Sequence, residues 1–180
     1  MNRKILLLCS STDGHTRKIC NRLRLQWLEA GEVVTLVSIE DEEDESPAGY
    51  DLAVVGARIR YGNTDRRVIA WANEHAAQLN AMPSAFFSVN IVARKPGKDR
   101  AGTNPYVQKF LRRVSWKPTM LDVFAGKLDY PIYTPVDRAV IRFIMWLTHG
   151  PTSPDAVVEF TDWQRVDSFG QGILGAHTKD

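Results

Sequence analysis

Cysteine is the scarcest side chain here, with only Cys9 and Cys20 in 180 residues. One falls at the end of a predicted strand and the other inside a predicted helix, so both are expected as reduced, packed thiols rather than as a staple. Histidine is nearly as rare. His15, His75, His149 and His177 show no ligand spacing with cysteine or acids, which argues against a metal centre. No apolar run approaches the ~20 residues of a membrane span, and the stretch at 5–9 is too short for the core of a signal peptide. A cytosolic product is the expectation. The three-glycine dinucleotide fingerprint and the Gly-Lys-Ser/Thr of a triphosphate loop are both missing, and no nucleic-acid-binding module accompanies the basic residues.

What is present is a globular composition, 44% hydrophobic and 24% charged, of a length that suits a single domain spanning 1–180. The net charge of +2 hides an asymmetry. Residues 40–45 are six consecutive acids, and the rest of the chain carries +8. From Arg94 to Arg142 the balance is +7, which marks that region for an anionic partner such as a membrane surface or an acidic small molecule.

The apolar pattern predicts strands at Lys4–Cys9, Val33–Ile39, Asp51–Ala57, Ser84–Val89 and Val123–Lys127, the first a continuous run of the kind buried on both faces. Helices are predicted at Thr16–Ala30, Arg66–Leu79, Tyr106–Val114 and Asp162–Ile173, with "RIRYGNT" (58–64) as a polar loop. Alternating strands and helices at this spacing give an α/β fold: a doubly wound, five-stranded parallel sheet with helices on both faces. An insertion at about 129–151 interrupts this rhythm with an apolar-basic helix.

In such a sheet ligands bind beyond the carboxyl ends of the strands, where strand order reverses. The segment "SSTDGHT" (10–16) lies there, opening a helix whose N-terminus favours an anion. Ser10, Ser11, Thr12 and Thr16 offer hydroxyls and Gly14 lets backbone approach closely, while Asp13 precedes glycine as a turn shaper. With no lysine in the loop, a single phosphate monoester is the expected ligand. A hydroxyl-rich turn that merely caps the helix remains the alternative.

Ser11, Gly14 and Thr16 fall where flavodoxins carry their hydroxyl, small residue and threonine, so the loop resembles theirs. Further along, "VVGARIRYG" (54–62), "MPSAFFSVNIVARKP" (82–96), "FAGKLDYPIY" (124–133), "DRAVIRFIMWLTHG" (137–150) and "FTDW" (160–163) resemble the flavodoxin-like protoporphyrinogen IX dehydrogenases of bacterial haem synthesis. That resemblance implies FMN held by residues 10–16, His15 among them. It also implies protoporphyrinogen IX as substrate in a six-electron oxidation, menaquinone or ubiquinone as acceptor, and a peripheral place on the cytoplasmic side of the cell membrane. The flavin would carry the chemistry, and no side chain stands out as a catalytic base. Homo-oligomers are compatible with it.

If the first loop holds the phosphate, the loops after the third and fourth strands flank the ring. Tyr61 is then placed to stack on it, with Ser88, Val89 and Asn90 along its polar edge. Arg58, Arg60, Arg94 and Lys95 suit the propionates of the substrate. In Val136–His149 the only polar residues before Thr148 are Asp137, Arg138 and Arg142. This helix is too short to cross a bilayer and reads as interfacial, with Arg138, Arg142, Phe143 and Trp146 meeting an anionic membrane. The rival functions are an NAD(P)H:quinone reductase and a flavodoxin-type electron carrier.

Overall fold

A computed structural model describes residues 2–41 and 45–175. Glu42, Glu43 and Asp44 of the acidic run, and His177, lie outside these. The chain opens with β1 (Lys4–Ser10), in which every residue after Lys4 is buried, and α1 (His15–Glu29). Then come β2 (Val33–Ser38), β3 (Leu52–Arg60), the short β4 (Asn63–Thr64), α2 (Arg66–Glu74), α3 (Ala76–Ala81) and β5 (Ser84–Asn90). A 3₁₀ turn (Ile91–Arg94) leads to α4 (Pro105–Leu111), β6 (Met120–Ala125), β7 (Lys127–Asp129) and a second 3₁₀ turn (Tyr130–Ile132). The chain closes with α5 (Pro135–Leu147), β8 (Val157–Glu159) and α6 (Trp163–Gly175).

Five strands run parallel in the order β2-β1-β3-β5-β6, with β4 added antiparallel to β3. The chain leaves β1 towards β2 and returns to place β3 on the other side. The loops after β1 and β3 therefore diverge, and this is the switch point where an open α/β sheet binds ligands. One core layer lies between the sheet and α1 with α6, where Phe87, Phe124 and Phe169 meet at centroid distances of 5.3 to 5.7 Å. The opposite layer is built around Trp71, Phe86, Phe110 and Trp116. Gly56 on β3 is required by close packing: a Cβ there would meet the Phe87 ring at 2.2 Å.

Several expectations change in detail. "RIRYGNT" is not a loop. β3 continues through Arg60, and Tyr61 (φ 49°) and Gly62 (φ 72°) form a two-residue reversal into β4, the left-handed pair that matches strand twist. Arg58 and Arg60 thus project from the end of a strand. The helix expected over 66–79 is two, divided at His75, which packs edge-on to Trp71 at 5.0 Å. The helix after Asn104 ends at Leu111 rather than Val114. The fifth parallel strand starts at Met120 and stops at Ala125: the Gly126 N–H makes a last bond to Asn90 O of β5, and Lys127 begins a separate ribbon, β7 paired with β8.

Helix α5 stands over this end of the sheet. Thr134 Oγ1 caps the Asp137 N–H at 3.2 Å and Pro135 supplies the preset first-turn φ, so its start is well defined. Only Met145 is buried on it; Val136, Phe143, Trp146 and Leu147 are 56 to 70% exposed. The apolar pattern that marks a helix therefore does not bury the side that faces away from the body.

Candidate functional site

Beyond the carboxyl ends of β1, β3 and β5 lies a cavity of about 570 Å³. Its floor is the β1–α1 loop, through Thr12, Asp13, His15 and Thr16. Arg58 to Tyr61 and Val89 to Val92 form its sides, and α5 roofs it with Val140, Ile141, Ile144 and Met145.

The loop is shaped from behind by a residue that the sequence pattern hid in an acidic run. Glu40 accepts from Ser10 Oγ (3.4 Å), Ser11 N (3.3 Å) and Ser38 Oγ (2.5 Å). Ser10 is fully buried, and neither it nor Ser11 or Gly14 lines the cavity; these three set the loop's path. Gly14 adopts φ 87° and leaves the start of α1 without a side-chain cap of its own. Asp13 Oδ1 makes only a long 3.3 Å contact with the His15 N–H. Ser11 Oγ accepts from the Arg17 N–H at 3.4 Å, so the first turn is held only by long contacts, and the buried Thr16 lies on the cavity side.

His15 is also buried, and its environment settles its tautomer. Thr161 Oγ1 donates its one proton to Ala125 O at 2.7 Å, so at 2.7 Å from His15 Nε2 it accepts. Nε2 carries the hydrogen and Nδ1 is an acceptor. Burial, against the opposing charges of Glu159 and Asp13, holds the imidazole below its ordinary value, so it is neutral near pH 7.

Of the side positions, Val89 and Asn90 line the cavity but Ser88 does not. Ser88 Oγ accepts from Asn90 Nδ2 at 3.2 Å, while Asn90 Oδ1 accepts from Ala93 N at 3.0 Å and Asn104 Nδ2 at 3.3 Å. Asn90 thereby shapes the turn after β5. Its partner Asn104 is fully buried and caps α4 through the N–H groups of Tyr106 and Val107. The Asn-Pro pair at 104–105 is a helix-start signal that passed unused.

The predicted cations separate into different environments. Arg60 pairs with Asp137 at 2.9 Å, and Tyr61, 59% exposed, donates its hydroxyl to the same carboxylate. Those contacts, Tyr61 first, hold Asp137 below the usual carboxylate range. Arg94 reaches Thr148 Oγ1 at 3.1 Å and Ile91 O at 3.2 Å, tying the end of α5 to the body. Arg58 is half-buried, with an enclosed Nε that has no hydrogen-bond partner. Burial, and then the charge of Arg60, push its guanidinium below the ordinary value. A half-buried guanidinium so placed is a cost that an anionic ligand would offset. Lys95 does not line the cavity, whereas Lys127, unforeseen, does. Arg138 Nε and Arg142 Nε bond to the chain's own carbonyls, Tyr130 O (3.2 Å) and Thr152 O (2.8 Å), and Phe143 stacks on Trp146 at 6.1 Å. Among the described residues no cluster of His, Cys, Asp or Glu could hold a metal ion, and no helix is long and apolar enough to cross a membrane.

A helix start at the switch point held only by long contacts, with Thr12, Thr16 and the half-buried Arg58 in the same lining, is an arrangement suited to an anionic group on a doubly wound sheet. The chain belongs to the Flavodoxin domain family, whose model matches residues 6–155, and the group held at this switch point in that family is FMN. It is 41% identical to the protoporphyrinogen IX dehydrogenase [quinone] of Escherichia coli K12, over 98% of this chain and 97% of the other. It is 43% identical to the protein of the same name from Leishmania major, over 92% of this chain and 72% of that one. Oxidised flavodoxin 1 from Bacillus cereus shares the fold at a TM-score of 0.58 and 14% identity, over 97% of this chain and 99% of that one.

Proposed function

We propose that this chain is an FMN-dependent enzyme that oxidises protoporphyrinogen IX to protoporphyrin IX and passes the electrons to a quinone. The observation that carries this reading is the 41% identity over 98% of the chain, which takes in the α5 segment roofing the cavity as well as the sheet. FMN, when bound, supplies a two-electron acceptor. The protein supplies position, charge and dryness. Thr12, Thr16 and the N-terminus of α1 hold the phosphate. Arg58 places positive charge beside the ring region and the propionates, and the α5 roof excludes water. Tyr61, anchored by Asp137, flanks the ring.

The outward face of α5, with Val136, Phe143, Trp146 and Leu147, docks on an anionic membrane at the cytoplasmic face, where a lipid-soluble quinone resides. The basic 94–142 region beside it supports that placement. Arg142 keeps its outer guanidinium nitrogens for lipid phosphate while its Nε is bonded internally.

The test is the absorbance spectrum of the pure protein under anaerobic conditions. Flavin bands should appear, bleach on addition of protoporphyrinogen IX and return on addition of a quinone. A colourless protein, or bands that bleach with NADH and not with protoporphyrinogen, would overturn the reading.

A further inference from the structure

Four cations reach the cavity, and they are not equivalent. Arg60 is neutralised by Asp137 at 2.9 Å and Lys127 by Asp129 at 2.6 Å. Arg58 and Arg94 make no ion pair among the described residues, although Asp65, Glu40 and Asp13 act on Arg58 from a greater distance. Arg94 touches only neutral groups: Ile91 O, the carbonyl and hydroxyl of Thr148, and the Phe160 ring at 5.8 Å. Arg58 keeps an enclosed Nε with no partner at all. Between Asp137 and Thr148 the α5 side of the same cavity is apolar, with Val140, Ile141, Ile144 and Met145 offering no donor to an anion.

We propose that these two guanidiniums without an ion pair and the aliphatic stretch of α5 together set substrate choice: the cavity takes a porphyrinogen with two carboxylates and apolar groups elsewhere, and rejects one with four. The inference rests on the functional reading above and adds the residues that discriminate. Two carboxylates meet Arg58 and Arg94, each gaining a charge-assisted bond. The vinyl and methyl groups lie against Val140, Ile141 and Ile144. A third or fourth carboxylate would lose its water against that wall without any donor in exchange, and such an unpaired polar group is what makes sites selective. The expected discrimination is at least roughly hundredfold in kcat/KM.

Two experiments read this directly on the FMN-loaded protein. First, Arg58→Gln and Arg94→Gln are assayed with protoporphyrinogen IX and with its dimethyl ester. Each variant should lose at least about tenfold in kcat/KM for the diacid and much less for the ester, on the scale of one charged hydrogen bond. A loss of FMN would depress both substrates alike, so equal losses overturn the assignment. Second, Ile144→Lys and Val140→Lys are compared for protoporphyrinogen IX against coproporphyrinogen III, the tetracarboxylate. The wild-type preference should fall at least about tenfold as the new ammonium partners an added carboxylate. Both positions are partly exposed, so failure of one variant to hold FMN leaves the other to decide. An unchanged preference in whichever variant retains FMN, or wild-type oxidation of both rings at similar kcat/KM, overturns the inference. Wild-type protein that holds FMN and oxidises neither ring overturns the functional reading, and this inference with it.

Discussion

Tyr61 donates its hydroxyl to the carboxylate of Asp137, joining the tip of the β3–β4 hairpin to the first turn of α5. Arg60 grips the same carboxylate, and Thr134 Oγ1 reaches it at 2.9 Å, so one side chain fastens the cavity's roof to its wall. Asp137→Asn keeps the size but removes the charge. The expected result is faster limited proteolysis within 135–147 and a rise of roughly two- to fivefold in KM for protoporphyrinogen, the scale of one exposed ion pair. Asp137 is held below its ordinary value, so the latch is intact above about pH 4 and fades only as pH falls through the depressed value.

The phosphate loop yields a contrast between two residues. Asp13→Asn preserves the acceptor for the His15 N–H and removes a negative charge from the cavity lining where the phosphate is proposed to sit. FMN affinity should rise by roughly fivefold, on the order of 1 kcal/mol. Thr16→Val keeps the buried shape and deletes a hydroxyl on the cavity side, so affinity should fall by a similar or larger factor. Titration of FMN fluorescence into apoprotein measures both. Weaker binding in Asp13→Asn with unchanged binding in Thr16→Val would exchange their roles.

His15 predicts an acid sensitivity of the apoprotein. Its folded-state pKa lies below the unfolded value, so the unfolded chain binds more protons and the His15 contribution to stability is fully present above about pH 6.5. It declines as pH falls from there towards the lower folded value. The melting temperature should drop between pH 7 and pH 5, and His15→Gln, which can still donate to Thr161, should flatten that slope.

Gly56→Ala tests the close approach of β3 to β5. The new methyl would meet the Phe87 ring, itself wedged between Phe124 and Phe169, so the ring cannot step aside freely. A cost of about 2 kcal/mol is expected, or a fall of roughly 4–8 °C in melting temperature. Differential scanning calorimetry reads it.

The proposed membrane contact of α5 can be tested apart from the cavity. Phe143→Glu combined with Trp146→Glu alters two side chains that are 60% and 65% exposed. Co-sedimentation with anionic vesicles should fall at least about tenfold, given the apolar area withdrawn from the bilayer. Unchanged sedimentation would remove α5 as the contact.

The fold was legible because its signals are strong and local. The uninterrupted run at 5–9 needs a strand buried on both faces, and the hydroxyl loop before a helix marks the switch point. The resemblance to the flavodoxin-like dehydrogenases pointed to the family to which the chain belongs. Arg58 to Thr64 misled because a two-residue reversal built on Tyr61-Gly62 has no Asn-Gly or Asp-Gly signature, and the strand's arginines read as a polar loop. Glu40 was lost inside a run of like charges, where composition says solvated and only tertiary structure shows it turned towards the β1–α1 loop. The pairings of Arg60 with Asp137 and Arg94 with Thr148 join residues 77 and 54 positions apart, and no periodicity reports contacts at that range.

β7 and β8 lie side by side, with Lys127 opposite Glu159 and Asp129 opposite Val157. The chain therefore leaves the sheet and comes back at neighbouring points, about 5 Å apart in an antiparallel pair. Everything from Tyr130 to Ala156, the roof included, is a cassette with matched ends. A tight turn joining Asp129 to Val157 would excise it without asking the five parallel strands to move. Exchanging it between relatives would transplant the cavity's roof while leaving the β1–α1 loop in place.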